Sequence, residues 1–144
     1  MQTSSIGTEA PNVRAVQLRE RSSLWNKSLD GLRELALTNI PPVVSAKLRK
    51  ATVRQRSEAV RVYVLRRADG RCEVCGNPAP FETSAGKAYL EPHHTRRLAD
   101  GGPDHPRWVT ALCPNYHARV HYGADANQFN ASLIEQLGEL QADD

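Results

Sequence analysis

Five histidines and three cysteines carry the metal and proton chemistry open to this 144-residue chain. Four of the histidines form two pairs: His93 and His94 are adjacent, and His117 and His121 are four residues apart. A neutral imidazole, with a pKa near ~6.5, binds divalent cations and also takes a proton from water near neutral pH. On a helix, positions i and i+4 share one face a turn apart, which is the spacing of a metal clamp. On an extended segment neighbours point to opposite sides, so His93 and His94 are expected to do different jobs, one binding and one working on a proton. Taken alone, His117 and His121 also fit a polar helix face; the second pair, at a strand end, shifts the reading toward one shared ion.

The cysteines are Cys72 and Cys75, in Cys-Glu-Val-Cys, and Cys113. An odd count behind an N-terminus without a basic start or apolar run argues against a disulfide framework and for metal binding. With no apolar stretch long enough to cross a bilayer, the expectation is a cytoplasmic protein that does not engage membrane.

The elements that must position these residues follow from periodicity and punctuation. Residues 1–11 are small and polar and read as a flexible tail. Apolar positions from Val13 to Ala36 approximate helical spacing, and Ile40-Pro41-Pro42 breaks it. A basic helix is predicted over 45–56 and another over 57–68, closed by Asp69-Gly70 just before Cys72. Lys87–Glu91 reads as a strand delivering His93 and His94, and Trp108–Leu112 as a second. Pro114 opens a helix running to Tyr122, Gly123 stops it, and a last amphipathic helix spans Phe129–Leu140.

Charge is distributed unevenly. Residues 12–71 hold fourteen Lys or Arg against five Asp or Glu, residues 72–122 are balanced, and 123–144 hold five acids and no base. A basic segment beside a neutral site suits a polyanion, since cations that neutralise phosphates release condensed counterions. An Arg-rich solvated helix surface would give the same count.

In order, Cys72-x-x-Cys75, Leu90-Glu-Pro-His-His94, Gly101-Gly102 and Ala111-Leu-Cys-Pro-Asn-Tyr-His-Ala-Arg-Val-His-Tyr-Gly123 resemble the HNH endonucleases, most of all their McrA-like members, which are restriction nucleases acting on modified DNA. The resemblance covers roughly residues 57–140. It implies a ββα-metal (HNH) nuclease core, 57–144, with a Cys-rich zinc knuckle and a C-terminal helix; with the basic helices read over 12–56, which lie outside the resemblance, the expected fold class is α+β. The resemblance further implies that His93, His117 and His121 hold one catalytic divalent cation (Mg, Mn, Ni or Zn) and that His94 is the general base. Cys72, Cys75 and Cys113 would hold structural zinc. The implied reaction is hydrolysis of DNA phosphodiester bonds by water, leaving 5′-phosphate and 3′-hydroxyl ends, with DNA as the partner. Arg96, Arg97 and Arg119 are near enough in sequence to be phosphate contacts, though each equally fits a surface position, and cutting both strands with one site per chain favours a homodimer or two sequential nicks. A zinc-ribbon-like module that binds nucleic acid without cutting it is the competing reading.

Two positions depart from the family. Tyr116 stands where the second knuckle would supply a fourth cysteine, and a phenol with a pKa near ~10 is a poor zinc ligand. Three cysteines with water or His105, a weakly held zinc, or a metal-free knuckle packed around Tyr116 are the alternatives. Trp108 stands five residues before Cys113, where the family often has the asparagine that braces the histidine loop; its ring could brace by packing or belong to the core.

Overall fold

The computed structural model describes residues 22–39 and 45–142. The tail over 1–11 and the first part of the predicted N-terminal helix lie outside these residues. Helix α1 spans Leu29–Ala36, its start capped by the Ser28 hydroxyl accepting from the Gly31 amide. A 3₁₀ turn, Ser23–Asn26, precedes it, so the predicted continuous helix is interrupted where Ser28 caps a new one.

Helix α2 spans Ala46–Ala68 without a break, replacing the two helices expected there. No Gly or Pro lies between 46 and 68, and Ser45 caps its start. The boundary drawn after residue 56 falls inside this helix. It ends as predicted at Asp69 and Gly70, both with positive φ, 51° and 79°.

Strand β1 is Glu91–His94 and β2 is Val109–Leu112, antiparallel, with His93 opposite Thr110 and His94 opposite Val109. The strand predicted over 87–91 instead begins at 91. Residues 81–89 fold back on themselves, Tyr89 N–H donating to the Phe81 carbonyl and Thr83 N–H to that of Lys87. Pro92 is tolerated in β1 because its partner Ala111 turns both backbone groups to the other edge, toward Glu73, so no ladder bond is missing. Helix α3, Pro114–Tyr122, follows β2 directly, and α4, Ala126–Ala142, starts one turn earlier than predicted.

One apolar core joins these parts: Leu24, Leu32 and Ala36 of the N-terminal segment pack in the same cluster as Val60, Val64, Val109, Leu112 and Leu133. Among the described residues no helix is long and apolar enough to cross a membrane.

Candidate active site

Strand β1 and helix α3 bring three of the four paired histidines together. His93 is buried (7% exposed). Its ring lies 5.4 Å from that of His117 and 5.2 Å from that of His121, edge to face. One ring nitrogen from each of the three lies within 4.8 Å of the others. His117 and His121, one turn apart on α3, approach to 3.1 Å between Nε2 atoms. Two nitrogens bound at about 2.0–2.1 Å to one ion stand roughly 3.1–3.4 Å apart, so this donor set fits a divalent cation.

The neighbours of these rings set which nitrogen is bare. Asn130 Nδ2 donates to the Thr95 carbonyl (2.8 Å), so its Oδ1 must accept from His93 Nε2–H (3.0 Å). His93 Nδ1 is left as the lone pair. His117 Nδ1–H points to Glu91 Oε2 (3.4 Å), which leaves Nε2. Amide or carboxylate partners of this kind fix the tautomer of metal-binding histidines. Burial, and then the charges of the neighbouring histidines, push the His93 pKa down to about 4 despite the Asn130 bond. Burial, with the charges of His117 and Arg97, also lowers that of His121. Imidazoles kept neutral are the form that coordinates.

His94 leaves the strand in the other direction. Its Nε2 lies 3.0 Å from Asp104 Oδ1, and its side chain is 29% exposed. Burial raises the Asp104 carboxyl, but hydrogen bonds from His94 and Ser57 and the charge of Arg56 hold it below its ordinary value. A cavity of about 100 Å³ lies beside the pair, against α2 residues Ser57 and Glu58.

A second cluster lies beside β2: Cys72, Cys75 and Cys113 bring their sulfurs within 4.8 Å of one another. Burial raises Cys72, but backbone hydrogen bonds from Cys75, Cys113 and Val74 take it below the usual thiol value, whereas burial raises Cys113. Three thiols could hold a metal. His105, one alternative for a fourth ligand, is not in the group: its Nδ1 accepts from the Arg107 amide (3.0 Å). The Tyr116 ring packs 5.5 Å from Phe129, in the contact between α3 and α4.

Glu73, between the first two cysteines, ties this cluster to β2. Its amide donates to the Ala111 carbonyl, and its carboxylate accepts from the Ala111 amide (2.8 Å) and pairs with Arg67 through two 2.8 Å bonds.

The three arginines differ. Arg96 is exposed and stacks 4.1 Å above the Trp108 ring. Arg97 is exposed, 3.8 Å from Asp100, and its charge reaches His121. Arg119 is engaged with Asp125 (2.5 Å) and lies over Phe129 (4.3 Å). The Trp108 ring is half-buried and outside the core cluster, with Arg96 and Arg107 stacked over it at 4.1 and 5.1 Å; its carbonyl, which any residue could supply, accepts from the Thr95 amide (2.8 Å) and hydroxyl (2.9 Å).

No protein-family model matches the chain. Over 100 residues it is 38% identical to the Type IV methyl-directed restriction enzyme EcoKMcrA of Escherichia coli (strain K12), a match covering 69% of this chain and 35% of that protein. The solved structure of the Type IV phosphorothioation-dependent restriction endonuclease ScoMcrA superposes with a TM-score of 0.56 at 28% identity, covering 99% of this chain and 25% of that one. The chain is related to the McrA-like restriction nucleases. It spans about a third of the curated relative and a quarter of the structural one.

Sequence reasoning missed Asp104, Asn130, Glu91 and Glu73. Asp104 reads as a turn residue after Gly-Gly-Pro, and Asn130 as a polar position of a terminal helix. Glu91 carried a usable signal, since it stands two residues before His93 on the same strand face.

Proposed function

We propose that this chain is the nuclease unit of an HNH-type DNA endonuclease with a ββα-metal core, acting in restriction. The convergence of the His93, His117 and His121 nitrogens on one point, with His94 beside them but turned to Asp104, carries the reading. A divalent cation held by the three supplies Lewis-acid stabilisation of charge on the scissile phosphate and the departing 3′ oxygen. His94 takes the proton from the attacking water through Nδ1, giving 5′-phosphate and 3′-hydroxyl products. Arg97 and Arg96, exposed beside the site, contact flanking phosphates; Arg119, held by Asp125, reaches DNA only by exchanging that partner. Cys72, Cys75 and Cys113 hold structural zinc, and a homodimer places one site on each strand.

DNA affinity comes from the exposed first half of α2, with Lys47, Arg49, Lys50 and Arg54. Other cations of the basic segment are spent internally: Arg56 on the Ala36 and Asp104 carbonyls, Arg67 on Glu73, and Arg71 on the Gly76 carbonyl.

The test is cleavage of plasmid and of methylated or phosphorothioated duplexes in Mg, Mn, Ni or Zn by wild type and His94→Ala. Loss of cleavage with DNA binding retained is expected. Equal nicking by the two proteins would refute the base assignment, and binding without cleavage by wild type would leave the binding-module reading.

A further inference from the structure

We propose that Asp104 is the positioning residue of His94, and that α1 and α2 hold it in place through Arg56 and Ser57, making the helical extension part of the catalytic scaffold. The inference rests on the nuclease reading above.

An imidazole on a strand end has two free choices: the angle of its ring, whose terminal torsion is broad, and which nitrogen bears the proton. Asp104 removes both. An ionised carboxylate only accepts, so at 3.0 Å it requires hydrogen on His94 Nε2 and leaves Nδ1 bare for a water proton. The opposite tautomer would present an N–H to the water and could not act as a base.

Asp104 sits in the loop between the strands, and a loop residue orients another only if it is itself held. Two side chains of α2 do so. Arg56 Nη2 donates to the Asp104 carbonyl (3.0 Å), while its Nε donates to the Ala36 carbonyl (3.2 Å) at the end of α1. The planar guanidinium thus spans two elements that share no covalent neighbour. Ser57, one residue further along α2, hydrogen-bonds the Asp104 carboxylate. The loop also folds tightly on itself at Gly102, where a Cβ would lie 2.5 Å from the Arg96 carbonyl oxygen, so no larger residue fits. The path from the C-terminus of α1 to the His94 ring is therefore continuous: Ala36, Arg56, Asp104, His94.

The experiment uses the full chain with Asp104→Asn, Asp104→Glu and Arg56→Met. In metal-free protein at about pH 8, ¹⁵N shifts of the His94 ring should report the Nε2–H form in wild type and a mixture in Asp104→Asn, because an amide can accept from Nε2 or donate to it. Cleavage should lose about 10²-fold in kcat in Asp104→Asn, with KM and divalent-ion affinity within about threefold of wild type. Asp104→Glu, whose extra methylene the adjacent cavity of about 100 Å³ admits, should return to within about tenfold. Arg56→Met should lower kcat in the same direction. An unchanged His94 tautomer together with unchanged kcat in Asp104→Asn would overturn the inference while leaving the nuclease reading intact. A wild type that cuts no substrate in any metal would overturn both. Should Asp104→Asn melt early, the ring shifts of the folded fraction and the Glu variant decide the matter.

Discussion

Replacing Arg67 by methionine should cost about 3–5 kcal/mol of folding free energy, because that one side chain seals the outer edge of β2. The side chains of Arg67 and Glu73 are only 14% and 8% exposed. The guanidinium makes two 2.8 Å bonds to Glu73 and donates to the carbonyls of Val109 (2.8 Å) and Pro106 (3.2 Å). Methionine keeps the apolar stem but strands a buried carboxylate with the Ala111 amide as its main remaining partner. Removing one member of a buried ion pair costs about 3–5 kcal/mol, and each orphaned carbonyl adds about 1–3, not additively, so the lower figure already takes a large share of an ordinary 5–15 kcal/mol. In urea, with a slope near ~2 kcal/mol/M, the midpoint should fall by about 2 M. The double variant Arg67→Met/Glu73→Gln removes the stranded charge and should recover at least ~1 kcal/mol relative to the sum of the singles. A single-variant loss under ~1 kcal/mol, or strict additivity, would show that the pair does not hold the strand edge.

Asn130→Ala should weaken divalent-ion affinity at the histidine cluster about 10–100-fold, measured by calorimetry, since His93 Nε2–H loses its acceptor; equal affinity would remove Asn130 from the site. Tyr116→Cys trades the ring contact with Phe129 for a fourth thiol, so its melting temperature should exceed that of wild type when zinc-loaded and fall below it when stripped; no gain in bound zinc would discard the incomplete-knuckle reading. Changing Lys47, Arg49, Lys50 and Arg54 to glutamine should reduce the slope of log affinity against log salt by about 0.9 for each phosphate no longer neutralised, and an unchanged slope would place DNA elsewhere. For His93, the folded value near 4 lies below the ordinary 6.5, so the unfolded chain binds the extra proton: stability is fully present above pH 6.5 and declines as pH falls toward 4. Melting scans of ion-free wild type and His93→Gln should diverge in that window; parallel curves would contradict a buried neutral ring.

What could be read from sequence was whatever local chemistry decides. Pro114 and Gly123 bound α3, so the facing of His117 and His121 followed from their spacing alone. The division of His93 from His94 followed from the alternation of a strand. Contacts across long sequence separations were not legible. Asn130 meets His93 across 37 residues, and Asp104 meets His94 across a loop whose course depends on Arg56. The strand expected at 87–91 was displaced because residues 81–89 found partners in each other. Counting charge over 12–71 overstated the surface available to DNA, since Arg56, Arg66, Arg67 and Arg71 reach inward or along the fold to backbone carbonyls and Glu73.

The two adjacent histidines are anchored to different parts of the molecule, and this makes their roles separable. His93 is held by Asn130 on α4 and faces His117 and His121 on α3, whereas His94 is held by Asp104, itself fixed by α2. On the proposed mechanism, a defect in the first support should lower occupancy of the ion, which mass action at higher ion concentration would reverse. On the same proposal, a defect in the second should leave occupancy unchanged and lower the rate of proton removal, which no ion concentration would restore. Cleavage by Asn130→Ala should therefore climb back toward wild type as Mn²⁺ is raised, while Asp104→Asn stays at a reduced plateau. If both variants recover alike, the residues support one common structure, and the base and the ligand set are not independently held.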